Sequence, residues 1–240
     1  MPFSYTDRSA LVAFDESCIA YGKRVGILTQ DCPALRLLYD AFSASELPER
    51  ELSRRIALAF EIKLAFLHTH YDLSELAGIE NKHFVPEDRR RQYMPLEDVD
   101  SFALALRRSR TAFALVTRIR ALWDKLFLYV VMTTEADAVI RQLGAAKSKR
   151  RFFFSRYADG VGEISAELIK NAKQDLESLE SSYRTPELHG YGAIRGWVFD
   201  TPDDWVTPHI SEIMAHWNMV SNFTHEVFKK FKTKRTSLDT

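Results

Sequence analysis

The sequence predicts an all-α protein, a bundle of four to five helices with an N-terminal helical extension. Three observations carry this. Nine glycines and eight prolines in 240 residues leave few tight turns, and folds built from many short strands need more. From about residue 100 onward, apolar residues return every three or four positions in three long segments, which is the helical period. The most apolar run of the N-terminal part is rich in Ala, Leu, Glu, Arg and Lys, all good helix formers.

At 46% hydrophobic and 12% aromatic, the chain can bury a sizeable core, in one large domain or two small ones. Its 33 basic and 33 acidic residues cancel. A neutral chain has no global attraction to nucleic acid or anionic membrane, so such binding needs a local patch. No apolar run approaches the roughly 18–20 residues of a membrane span. The start, "MPFSYTDRSALVAFDES", carries Asp7, Asp15 and Glu16 and lacks an apolar signal-peptide core. Cys18 and Cys32 form no CxxC pair and read as two buried, reduced thiols of a cytoplasmic protein.

The elements follow in order. "PALRLLYDAF" reads as a short helix. In "LPERELSRRIALAFEIKLAFLHTHYDL", Ile56, Leu58, Phe60, Ile62, Leu64 and Phe66 alternate as in a strand. Length and propensity nevertheless favour a helix of roughly 20 residues, opened by Pro48 and acids. "NKHFVPEDRRRQYMPLEDVD", residues 81–100, is polar with two prolines and sets a boundary between an extension over 1–95, of unassigned role, and a helical domain over 96–240. A helix is expected from about Val99 to Leu143, with Leu115, Ile119, Leu122, Leu126 and Tyr129 inward, Asp98 or Ser101 as cap and Gly144 at its end. "GAAKSKRRFFFSRYADG" follows as a loop or broken helix. A second helix is expected from about Gly162 to Arg184, with Ile164, Leu168, Ala172, Leu176, Leu179 and Tyr183 on its apolar stripe. A third opens at "TPHISE", with Thr207 as N-cap and Pro208 first in the helix. It carries Ile210, Ile213, Met214, Trp217, Val220, Val227, Phe228 and Phe231, and runs into a basic tail of Lys229, Lys230, Lys232, Lys234 and Arg235.

Candidate chemistry is sparse. There is no glycine-rich phosphate loop, nucleophile elbow or cysteine-based metal site. His68 and His70 are two apart in an expected helix, so their side chains diverge by roughly 200° and hold no metal together. His209 and His216 are two turns apart and share a face, but no nearby carboxylate or third ligand is evident, so no metal is expected. "KSKRRFFFSRY" combines Lys147, Lys149, Arg150, Arg151 and Arg156 with Phe152 to Phe154. Cations for phosphate and rings for stacking match single-stranded RNA. The plainer reading, phenylalanines plugging the bundle while the charges face water, has more in its favour.

One constellation remains, in "LESLESSYRTPELHGYGAIRGW", residues 176–197. Arginine followed by four to six residues and histidine is weak as a bare pattern, since 21 arginines and seven histidines give about two chance matches. Local geometry adds weight. Thr185 precedes Pro186 and leaves the helical region, so the helix stops near Arg184. Thr185 can cap a new turn with Pro186 first and Glu187 at its positive end. His189 falls at the far end of that turn, and Gly190 and Gly192 release the chain. The corner thus holds Arg184 and His189 near one another.

This segment resembles the hallmark of the HEPN superfamily of compact helical domains. Its signature is an arginine, a polar residue, a few positions and a histidine at the end of an interior helix. Thr185 stands at the polar position, where many members have asparagine. Arg184, His189 and Tyr191 match the spaced form found in HEPN toxins paired with minimal nucleotidyltransferases. "RALWDKLFLYVV" likewise sets Asp124 and Lys125 inside an apolar helix, where HEPN helices carry an acid that reaches the motif's arginine. The resemblance covers roughly residues 100–232. It implies a HEPN-like bundle and a metal-independent, cofactor-free endoribonuclease, with His189 as general acid/base and Arg184 as the cation for the transition state. It also implies a homodimer joining two motifs in one cleft, RNA as substrate, and a defence or toxin role with a nucleotidyltransferase or antitoxin partner. The alternative is a HEPN-fold protein that binds RNA or scaffolds without cleaving.

Overall fold

The structure, a computed structural model, describes residues 5–25, 34–45, 47–83, 99–184 and 210–232. Cys32, residues 84–98, residues 185–209 and the tail beyond Lys232 lie outside them, as do the side chains of Ser101, Arg184, Lys230 and Phe231. The caps expected at Asp98, Ser101 and Thr207 therefore fall outside the described part, as does most of the expected boundary. The described residues form eight α-helices and one two-stranded hairpin, an all-α protein. They are α1 (Arg8–Val25), α2 (Leu35–Ser43), α3 (Glu49–His83), α4 (Val99–Thr134), α5 (Asp137–Ala145), α6 (Lys149–Arg156), β1 (Gly160–Val161), β2 (Ile164–Ser165), α7 (Ala166–Leu179) and α8 (Ile210–Lys232), with a π-helical turn at Glu180–Arg184 between α7 and the segment before α8.

The apparent strand of the N-terminal part lies within the 35-residue α3. Its buried positions run Leu52, Ile56, Ala59, Ile62, Phe66, Thr69, Leu73, Leu76 and Glu80, stepping by three or four. Alternation among the large residues misleads because Ala59 and Lys63 complete the inward face. Two expected helices are shorter than predicted. The one expected over Val99–Leu143 stops at Thr134, and α5 begins at Asp137. Thr133 and Thr134 donate their hydroxyls to the Tyr129 and Val130 carbonyls, at 2.9 and 2.7 Å, back-bonding that weakens the ladder. The Glu135 carboxylate is held by Arg156, at 3.0 Å, and by the Tyr157 hydroxyl, at 2.9 Å. The helix expected from Gly162 begins at Ala166 instead. Gly160 and Gly162 adopt φ of 98° and 57°, which favours glycine and turns the chain into the hairpin. A Cβ on Gly160 would stand 2.8 Å from the Ile164 carbonyl oxygen. Ser165 then caps α7, its hydroxyl accepting from the Leu168 amide at 3.2 Å. On α7 it is Ile169, at 2% exposure, that is buried in place of the half-buried Leu168.

The described residues pack as two compact units. The first takes its residues from Met1–Leu67, Leu122–Ala172 and Val220–Thr240. Asp7 opens α1, accepting from the Ser9 hydroxyl at 2.6 Å and from the Ala10 and Ser9 amides at 3.4 and 2.9 Å, and these bonds hold its carboxyl below the usual range. Asp15 on α1 accepts from the Leu35 and Arg36 amides, each at 3.1 Å. It thereby supplies the N-cap that Ala34 cannot. The same carboxylate pairs with the buried Lys63 of α3. Beside it, burial pushes the Cys18 thiol's pKa up. Trp123, Phe127, Phe153 and Phe223 are fully buried in the aromatic centre, with Phe127 and Phe153 stacked at 4.3 Å.

The second unit takes its residues from His68–Ala121 and Lys173–Met219. Glu80 of α3 repeats the device of Asp15: its Oε2 accepts from the Ile210 amide that opens α8, at 3.0 Å. Its Oε1 accepts from Nε of the buried Arg108 of α4, at 2.8 Å. Twice, then, an acid on one helix caps a second and neutralises a buried cation on a third.

Candidate functional site

The amphipathic helix expected to carry the motif is present, and α7 buries Ala172, Leu176 and Leu179 completely. After Leu179 the repeat loosens into the π-helical turn, and Arg184 is its last residue. The stop expected at Thr185–Pro186 lies outside the described residues. A π-turn breaks the 3.6-residue repeat and recurs at functional positions. The Arg184 side chain, Thr185, His189 and Tyr191 lie outside the described residues; the platform that holds the π-turn lies within them.

That platform belongs to the second unit. Glu180, first in the π-turn, is held by Arg120 of α4 at 2.5 Å. Tyr183 lies edge-on to His216 of α8, with ring centroids 5.9 Å apart at 84°. His216 in turn places Nδ1 2.7 Å from Asp175 Oδ1 of α7. The sequence reading leaves His216 with no carboxylate nearby; the fold supplies Asp175, 41 residues away along the chain. Both side chains are about nine-tenths buried. No spacing rule reveals this pair, because it depends on α7 and α8 packing side by side. His70 packs its ring on Trp217, also of α8, at 4.8 Å, the ordinary role of a core histidine.

The remaining cations sort into two groups. In the second unit the arginines of α4 face carboxylates: Arg107 to Glu75 at 2.6 Å, Arg108 to Glu80, and Arg118 to Asp72 at 2.7 Å. Burial raises the Asp72 pKa, against the pull of Arg118. The acids at 72, 75 and 80 were the legible signal for this ladder. In the first unit, "KRRFFFSR" forms α6, and Ser148 before it caps it by accepting from the Arg151 amide at 3.3 Å. Phe153 and Phe154 are buried and Phe152 is half-buried, so two of the three phenylalanines plug the core. Lys147, Lys149 and Arg151 are exposed and Arg150 is half-buried. Asp124 is half-buried, and Lys125 pairs with Glu61 of α3. The expectation that an acid here reaches the motif's arginine falls on the Arg184 side chain, outside the described residues.

Among the described residues no group of three or more His, Cys, Asp or Glu is arranged to hold a metal ion. No described helix is long and apolar enough to cross a membrane. No family model, curated protein or solved structure matches the chain.

Proposed function

We propose that the chain is a HEPN-type endoribonuclease that cleaves RNA by 2′-hydroxyl attack, without metal or cofactor. The observation that supports this most is the π-turn at Glu180–Arg184 that follows α7, immediately before Thr185, Pro186 and His189 in the sequence. In this reaction the 2′-oxygen bonds to the adjacent phosphorus as the bond to the 5′-oxygen breaks. One histidine takes the 2′ proton and one returns a proton to the leaving oxygen, giving a 2′,3′-cyclic phosphate and a 5′-hydroxyl. Histidine's ordinary pKa lets it serve as base or acid near neutrality. A guanidinium fork fits the phosphorane oxygens as their charge builds. Arg184 supplies the fork and His189 the proton transfer. A two-fold dimer supplies both histidines from two copies of the motif.

A second reading, RNA binding or scaffolding by the same fold without cleavage, draws on the exposed Lys147, Lys149 and Arg151 around α6. Its partners would be a second copy, RNA, and a nucleotidyltransferase or antitoxin acting at Tyr191. Cleavage of a single-stranded RNA oligonucleotide in the presence of chelator separates the two. The ribonuclease loses roughly 10²- to 10⁴-fold in rate on His189→Ala. Unchanged cleavage by the variant removes the mechanism. Binding without cleavage by the wild type leaves the second reading.

A further inference from the structure

The geometry points to His216 and Asp175 as a positioning pair that acts through Tyr183 to hold the π-turn presenting Arg184. This rests on the proposal that Arg184 is the working cation. His216 Nδ1 lies 2.7 Å from Asp175 Oδ1, and the two side chains are 10% and 12% exposed. A carboxylate only accepts, so Nδ1 carries the hydrogen and the ring's orientation is set. Asp175 Oδ2 is buried with no hydrogen-bond partner among the described residues. An unsatisfied buried oxygen is costly, so the pair is poorly explained by stability alone.

What the oriented ring meets is Tyr183, edge-on, the residue before Arg184 in the π-turn. A π-turn is less favourable than continued α-helix and persists where its surroundings select it. Glu180 is tied to Arg120 at the first position, and Tyr183 rests on His216 at the fourth. Anchors from α4 and α8 therefore hold the turn near both ends. Because Asp175 is on α7 and His216 on α8, the pair also links the helices flanking residues 185–209, where His189 lies.

Hydrogen exchange on the full chain tests this without depending on activity. In His216→Leu the amides of Glu180–Arg184 should exchange roughly tenfold faster, as expected for losing a charge-assisted bond. His216→Phe, which keeps a ring against Tyr183 without the bond to Asp175, and His216→Asn, which keeps a nitrogen where Nδ1 was without the ring, should each restore only part of the protection. His216→Gln, which places its nitrogen near Nε2 and has no ring, should behave as the leucine variant. Unchanged exchange in His216→Leu, or full protection in His216→Phe or His216→Asn, overturns the proposal. If His216→Leu fails to fold, Tyr183→Leu probes the same link from the half-exposed side, with the same acceleration expected and unchanged exchange again overturning it. Cleavage of the RNA oligonucleotide is read in parallel. For an active wild type, His216→Leu should lower kcat about tenfold with KM little changed, and His216→Asn, which lacks the ring, should restore it only in part. A wild type that never cleaves sinks the ribonuclease reading while exchange still decides the link between pair and turn.

Discussion

Arg108 has 0% side-chain exposure and its partner Glu80 has 1%. Taking both charges out of water is expensive, and their attraction returns that cost only while both are present. Glu80 has a second task, since its other oxygen accepts from the first amide of α8. Arg108→Met should therefore cost about 3–5 kcal/mol by taking the arginine from a buried carboxylate. Arg108→Met combined with Glu80→Gln should recover most of that, because a neutral amide still accepts from Ile210. Urea unfolding of the two variants measures the difference, and equal losses would show that charge burial is not the cause. Nothing in the sequence around Arg108 separates it from its exposed neighbour Arg107. The inward face of α4 decides which arginine is buried, and that face is set by packing.

The junction from α4 to α6 shows what an element's sequence discloses. "TTEAD" holds the break, yet the apolar period continues across it, so a pattern reading runs on to Leu143. The fold closes the junction with Glu135, to which Arg156 and Tyr157 both donate. Burial first, and then the bond to Glu135, push the Tyr157 pKa up to about 12. Tyrosines of the unfolded chain titrate near 10, so the folded state holds this proton more tightly. Its contribution to stability is complete below about pH 10 and is lost as pH rises toward 12. Melting temperatures measured across that interval should fall more steeply for wild type than for Tyr157→Phe, and parallel curves would refute the assignment. The α7 helix was legible as an amphipathic stripe. Its start was not, because Gly160 and Gly162 act through positive φ, which residue counts do not reveal.

For the whole molecule, the helical class followed from glycine scarcity and periodicity, and the structure bears it out. Of the candidate site, the amphipathic helix leading to Arg184 was legible; Thr185, His189 and Tyr191 lie outside the described residues. The platform that holds the π-turn was not legible, because Asp175, His216 and Arg120 converge from helices distant in sequence. Charge balance bears on binding. With 33 charges of each sign, RNA contact falls to local cations, and much of α4's arginine content already faces carboxylates. If Lys147, Lys149 and Arg151 make three phosphate contacts, affinity for single-stranded RNA should fall with a log–log salt slope of roughly −2. Each lysine-to-glutamine change there should flatten it by about 0.7. A slope unmoved by these changes would place the RNA elsewhere.

The division of labour within α6 has a consequence for how such a protein can diversify. Phe153 and Phe154 hold the helix down from inside, while Lys149 and Arg151 are exposed. Descendants can rewrite the outward residues, and with them any preference for a ligand, without touching the residues that keep the chain folded. Innovation and integrity are inherited on separate positions of a single eight-residue helix.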